Sequence, residues 1–277
     1  MGRKGGPRMH KHWRSVEVAD TTIQVACYSP TGRAAQRPTA VLVHGLGVSS
    51  LYFDPLIEKL AEHAPVVVFD LPGAGRSAET DGVVTIAGFA RVLRHILAEL
   101  DLGETVLLGH SMGTQVVVET LAQEPTVARS AALLAPVVAP ELRSAPYLLA
   151  AFARTSLHEP LGAVWRAGVG YLQMKPSWLL QQVNAMLAYP MEERIAGVAA
   201  DLVLLRADND RVCPRSFLDD LQRRAAGKRV IVRELSNAAH HMMATHADII
   251  VAALLRISGV ADAEAEAEAE RNRAENA

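Results

Sequence analysis

The sequence predicts an α/β fold built on a mostly parallel sheet, and three observations predict it. Short β-branched runs alternate with helical patterns along the 277 residues. Several of these runs are apolar without alternation: AVLV at 40–43, VVVF at 66–69, ALLA at 132–135 and LVLL at 202–205. Unbroken apolar runs fit strands covered on both faces, as in a parallel sheet. The rhythm is then interrupted once, between Val137 and Ala200, where no strand pattern occurs.

The elements follow in order. Residues 1–14, MGRKGGPRMHKHWR, are basic and glycine-rich and read as a solvated arm. Residues 13–18 fit an antiparallel edge strand paired with 22–28 through the short turn Ala19-Asp20-Thr21. Strands are expected at 40–44, 65–70, 105–108, 131–135, 202–207 and 229–234. Helices are expected at 51–63, 86–100, 114–123, 215–226 and 246–258. Residues 15–136 and 201–259 thus form a core. The intervening 137–200 reads as a helical lid punctuated by Pro140, Pro146, Pro160, Pro176 and Pro190, residues that suit the first turn of a helix. Residues 260–277 form an acidic Ala/Glu tail with no apolar face.

Bulk properties narrow the function. The net charge of −2 gives no sign of a nucleic-acid partner. Two cysteines, Cys27 and Cys213, do not make a disulfide framework. The basic start is not followed by the apolar run of a signal peptide, and no stretch has membrane-spanning length, so a cytoplasmic protein is the expectation.

The chemistry concentrates in Gly109-His110-Ser111-Met112-Gly113, a G-x-S-x-G between the strand TVLL and the helix TQVVVETLAQ. A serine at such a strand–turn–helix junction is a nucleophile elbow, its hydroxyl expected in solvent above the sheet. Serine needs a base, and the base needs an orienting carboxylate. In elbow enzymes the order is Ser, acid, His. Asp210 follows one strand and His240 follows the next, both at carboxyl ends, where parallel sheets gather reactive groups. Asp208 is the rival acid; His241 and His246 are the rival bases. The histidines do not form a zinc motif, so no metal is expected. Backbone amides of Met112 and of Leu46, in His44-Gly45-Leu46-Gly47, are the expected oxyanion donors. Asp70–Ser77 (DLPGAGRS) contains no phosphate-loop pattern and reads as a structural loop at the rim of the site.

With H-G-L-G at 44–47, D-L-P-G-A-G-R-S at 70–77 and G-H-S-M-G at 109–113 in place, the chain resembles the α/β-hydrolase superfamily, in its branch with a helical lid, over roughly 15–259. The resemblance implies an eight-stranded, mostly parallel sheet and a Ser111–His240–Asp210 triad. It departs from the family pattern at Ala239 and Ala207, where glycine is frequent. A serine nucleophile without a cofactor motif points to attack on a carbonyl. Hydrolysis of an ester, lactone or thioester of a small hydrophobic substrate is the leading expectation. Carbon–carbon cleavage of a β-diketone-like substrate, or a non-catalytic ligand-binding member, are the alternatives. The aromatics and methionines of 137–200 suggest an apolar pocket, with Trp165 and Trp178 as its candidate lining.

Overall fold

The computed structural model describes residues 10–82 and 84–260. Eight strands form one sheet in the order β1-β2-β4-β3-β5-β6-β7-β8. They are β1 (His10–Val18), β2 (Thr21–Ser29), β3 (Thr39–Val43), β4 (Val66–Phe69), β5 (Thr105–His110), β6 (Ser130–Leu134), β7 (Asp201–Ala207) and β8 (Val230–Leu235). The pairs β1–β2 and β2–β4 are antiparallel and the other five are parallel. The apolar runs fall where burial is complete: β3, β4, β5 and β6 are buried at every position. β1 is an exposed edge strand and begins at His10, so residues 10–12, expected only in the arm, extend it and pair with 27–29 instead. The rest of that arm and residues 261–277 of the acidic tail lie outside the described residues.

The helices are α1 (Asp54–Leu60), α2 (Ile86–Leu100), α3 (Met112–Gln123), α4 (Ala145–Ser156), α5 (Leu161–Gln173), α6 (Pro176–Ala188), α7 (Met191–Arg194), α8 (Arg215–Arg224) and α9 (Ala247–Ile257). α2 shows how sequence sets an element. Thr85 caps its start by accepting from the Gly88 amide at 2.9 Å, and Asp101 ends it in the left-handed region. Between them Phe89, Leu93, Ile96 and Leu100 recur three or four residues apart and are buried. The helix expected at 51–63 is shorter, because Pro55 sits in the first turn and leaves Ser50–Phe53 as a separate 3-10 turn.

Between β6 and β7 the chain is helical, α4 to α7, with no strand among the described residues. Pro146 and Pro176 lie in the first turns of α4 and α6, and Pro160 and Pro190 immediately precede α5 and α7. The two ends of this insertion differ. Its last part is bolted to α3: the buried carboxylate of Glu119 accepts from Arg194 Nε at 2.8 Å, Arg194 Nη2 at 3.1 Å and the Tyr189 hydroxyl at 2.9 Å. α4 and α5 instead carry large exposed apolar side chains, among them Tyr147, Leu149, Leu161, Trp165 and Leu172. Among the described residues no helix is long and apolar enough to cross a membrane.

Candidate active site

Ser111 lies between β5 and α3 with φ 53° and ψ −124°, a left-handed conformation rare for a residue with a β-carbon. The turn is closed by Ser111 N–H donating to Leu134 O at 2.9 Å and Thr114 N–H donating to Ser111 O at 2.9 Å. The flanking glycines are required by contact: a β-carbon on Gly109 would stand 2.5 Å from Gly113 O, and one on Gly113 would stand 2.2 Å from Val43 O. Ser111 is only 3% exposed, so the expected solvent-facing hydroxyl is corrected. Phe152 and Tyr171 of the insertion join it and His240 in lining a small cavity.

Asp210 and His240 are brought together. His240 Nδ1 and Asp210 Oδ2 lie 2.8 Å apart, both side chains buried, and the second Asp210 oxygen accepts from the Val212 amide at 2.8 Å. Burial alone pushes the Asp210 carboxyl up, but the His240 charge and hydrogen bonds from His240 and the Val212 and Cys213 amides outweigh it and hold the carboxyl below its ordinary value. Burial pulls His240 down, yet the Asp210 charge and hydrogen bond, aided by Glu159, hold it above an ordinary imidazole. The rivals have other partners. Asp208 accepts from the Asn237 and Ala238 amides and shapes the loop after β8. His241 faces Glu159, and His246 Nε2 is bonded to Ser236 O.

Leu46 lies in the turn after β3 and lines the same small cavity as Ser111. Gly45 beside it packs so closely that a β-carbon there would be 3.0 Å from Ser111 Cβ. Met112 opens α3, so its amide has no acceptor within the helix. The Asp70 loop braces this turn from behind. Asp70 is 2% exposed and accepts from the Ser50 amide at 2.7 Å and the Arg76 amide at 2.9 Å. His44 Nε2 accepts from the Leu71 amide at 2.8 Å, which puts its ring proton on Nδ1, facing Gly45 O.

Sequence reasoning missed His110 and Tyr52. His110 Nε2 lies 2.9 Å from the His240 carbonyl, an acceptor only, so Nε2 carries the proton. Its Nδ1 must then accept, and the Tyr52 hydroxyl donates to it at 2.7 Å while receiving the Gly45 amide at 3.3 Å. Burial, with the neighbouring histidines His240 and His241, keeps the His110 ring well below its usual pKa and therefore neutral. The available signal was the histidine inside the G-x-S-x-G itself.

A larger cavity of about 570 Å³ adjoins the small one, and Leu46, Phe152, Tyr171 and His241 line both. Leu148, Ala167, Leu179 and Val183 of the insertion supply apolar walls. Trp165 and Trp178 are not part of its lining, and that expectation is corrected. Trp165 is 74% exposed on the outer face of α5. Trp178 is buried, but its Nε1 donates to Pro72 O at 2.9 Å and its ring covers Gly73, so it packs α6 on the Asp70 loop.

The comparisons agree with this architecture. An enol-lactonase from Burkholderia xenovorans superposes with a TM-score of 0.73 at 18% identity, over 88% of this chain and 99% of that one. A 2-hydroxy-6-oxo-6-phenylhexa-2,4-dienoate hydrolase from a Rhodococcus species superposes at 0.71 and 17%, over 90% and 99%. At such identities these show the fold. In sequence, the chain is 26% identical over 196 residues to a 2-(acetamidomethylene)succinate hydrolase of Mesorhizobium japonicum, 71% of this chain and 60% of that one. Its matches to several other curated relatives span about a third of their length. The model of the alpha/beta hydrolase family matches residues 40–253, and with the eight-stranded sheet in place the chain belongs to that family.

Proposed function

We propose that the protein is a serine hydrolase that cleaves a carboxylic ester, lactone or thioester with a hydrophobic acyl part. The observation that carries this is His240, held by the buried Asp210 at 2.8 Å and lining one small cavity with Ser111, beside an apolar cavity of about 570 Å³. In this reading His240 Nε2 takes the Ser111 proton as Oγ attacks the substrate carbonyl. Asp210 holds the imidazole through Nδ1–H and stabilises its protonated form. The amides of Leu46 and Met112 receive the developing oxyanion. His240 then protonates the leaving oxygen or sulfur. Water, activated by the same imidazole, hydrolyses the acyl-Ser111 ester and restores the serine. The helical insertion at 137–200 acts as the lid and provides the acyl pocket.

The test combines labelling and a substrate series. A serine-directed phosphonate is expected to label the wild type and not Ser111→Ala, whose kcat falls by about 10⁴- to 10⁶-fold. Among p-nitrophenyl esters, kcat/KM is expected to rise about four-fold per added methylene until the pocket fills, the equivalent of about 0.8 kcal/mol each. Unlabelled wild type, or a well-folded Ser111→Ala with near-normal turnover, overturns the reading. Cleavage of a β-diketone with esters ignored transfers the same three residues to carbon–carbon hydrolysis.

A further inference from the structure

The peptide unit joining His240 to His241 is held at both of its polar atoms. Its carbonyl accepts from His110 Nε2–H at 2.9 Å, and its N–H donates to Glu159 Oε1 at 2.8 Å. The first partner belongs to the elbow, one residue before Ser111. The second belongs to the helical insertion, in the link between α4 and α5. Glu159 Oε1 also lies 3.1 Å from His241 Nδ1, and the Glu159 side chain is only 3% exposed. Its other oxygen, Oε2, is buried without a protein partner. A carboxylate is an expensive group to keep in such a place, and a neutral side chain would pack there at lower cost. Burial pushes the Glu159 carboxyl up, but its contacts with the His241 side chain and the His241 amide outweigh it and hold the carboxyl below its ordinary value.

We propose that Glu159 is a positioning residue for His240, so that the reactive orientation of the imidazole depends on the insertion being seated. The inference rests on the serine-hydrolase reading of the same site. Rotation of the 240–241 peptide would swing the His240 side chain away from Asp210 and Ser111. With both polar atoms engaged, that rotation breaks two hydrogen bonds at once. A displacement of about 1 Å in a reacting group costs on the order of 10²-fold in rate. Removing the Glu159 side of the clamp therefore reduces the chemical step, and it does so without removing any group that touches the substrate carbonyl.

Glu159 also acts on His240 through its charge. The groups that face the His240 ring are Asp210, bonded to Nδ1, the rings of His110 at 4.8 Å, Phe152 at 5.1 Å and His241 at 5.6 Å, and the Glu159 carboxylate beyond His241. Asp210 and Glu159 are the anions in this set. Loss of the Glu159 charge makes the His240 imidazolium easier to deprotonate.

Two substitutions separate geometry from charge. Glu159→Gln keeps an oxygen for the His241 amide and loses the charge; Glu159→Ala loses both. The readout is the second-order rate of phosphonate labelling at Ser111 across pH, with kcat and KM for one ester measured in parallel. Glu159→Ala is expected to lower the plateau labelling rate and kcat by roughly 10- to 100-fold; Glu159 also lines the larger cavity, so KM is read separately from this loss. Glu159→Gln is expected to restore most of the plateau rate while the acid limb of its profile moves to lower pH. Thermal melts identify any variant that fails to fold, and Glu159→Gln, which preserves volume and the acceptor, remains informative if Glu159→Ala does not fold. If Ser111 of the wild type labels normally and a folded Glu159→Ala keeps its plateau rate and kcat or changes KM alone, or Glu159→Gln loses as much plateau rate as removal of the hydrogen bond is expected to cost, the positioning role is refuted while the hydrolase reading stands; an unmoved acid limb in Glu159→Gln refutes the contribution of its charge. If Ser111 of the wild type does not label at all, it is the hydrolase reading that fails.

Discussion

Replacing Tyr52 by Phe removes one oxygen from the interior and strands two partners. Tyr52 is 4% exposed and His110 1% exposed, so solvent does not replace the lost hydroxyl. The bond to His110 Nδ1, at 2.7 Å, is well made; the one from the Gly45 amide, at 3.3 Å, is long. A buried group left unpaired costs about 1–3 kcal/mol, so the short bond is assigned about 2 and the long one about 1 or less. Burying one hydroxyl fewer returns part of this, about 1 kcal/mol on scales that allow partial compensation. The net expectation is a loss of about 2 kcal/mol, which for a domain near 250 residues is a fall in Tm of roughly 4–8 °C. His110 keeps its proton on Nε2, since the His240 carbonyl still requires a donor, so the larger loss falls on its unpaired Nδ1 and the smaller on the Gly45–Leu46 turn. That turn is the proposed oxyanion donor, and kcat is expected to fall with KM nearly unchanged. Thermal melts and ester kinetics on Tyr52→Phe check both parts, with the exposed Tyr147→Phe as control. A Tm within 1 °C of the wild type refutes the assignment of Tyr52 as the anchor of this network.

Asp210→Asn is expected to lower kcat by roughly 10³- to 10⁴-fold, because the imidazole loses its orienting carboxylate, while Asp208→Asn costs far less; kinetics giving the reverse order would move the acid to Asp208. The wild-type rate should rise with pH as His240 loses its proton, with a midpoint above the ordinary imidazole value because its folded pKa is raised; in Asp210→Asn the weak residual activity should have its midpoint at lower pH. A midpoint that stays put in a pH–kcat/KM titration of the two proteins removes Asp210 as the cause. Trp165→Ala, on an exposed face, should leave acyl-chain preference and Tm nearly unchanged, whereas Trp178→Ala should lower Tm by several degrees through loss of a buried ring, about 3–5 kcal/mol, without shifting that preference. A changed chain-length profile in either variant would return that tryptophan to the pocket.

What the sequence made legible was local or periodic. The apolar runs marked the inner strands, and the prolines at 146, 160, 176 and 190 marked helix starts because the ring restricts where a helix can tolerate it. Asp210 and His240 were singled out by a positional rule, the carboxyl ends of consecutive strands, and the structure brings the two side chains together. The clamp around the His240–His241 peptide was not legible, because its partners are separated by 130 residues on one side and 82 on the other. No local pattern encodes such meetings. The tryptophans misled for a related reason: composition placed large rings in the insertion, but only the direction of each helix face decides which ring meets a cavity. Trp165 points outward, whereas Leu148, Phe152 and Val183 do the work at lower apparent prominence.

The backbone at Ser111 divides the interests of stability from those of chemistry. A β-carbon at φ 53° and ψ −124° stores on the order of 1–3 kcal/mol of strain. Glycine adopts that conformation freely, so Ser111→Gly should relieve strain that Ser111→Ala retains, making the glycine variant an inert scaffold more heat-resistant than the alanine one. Any screen that rewards thermal endurance alone would therefore drift toward erasing the hydroxyl at this position. An engineering campaign on this chain should score turnover alongside melting temperature from its first round.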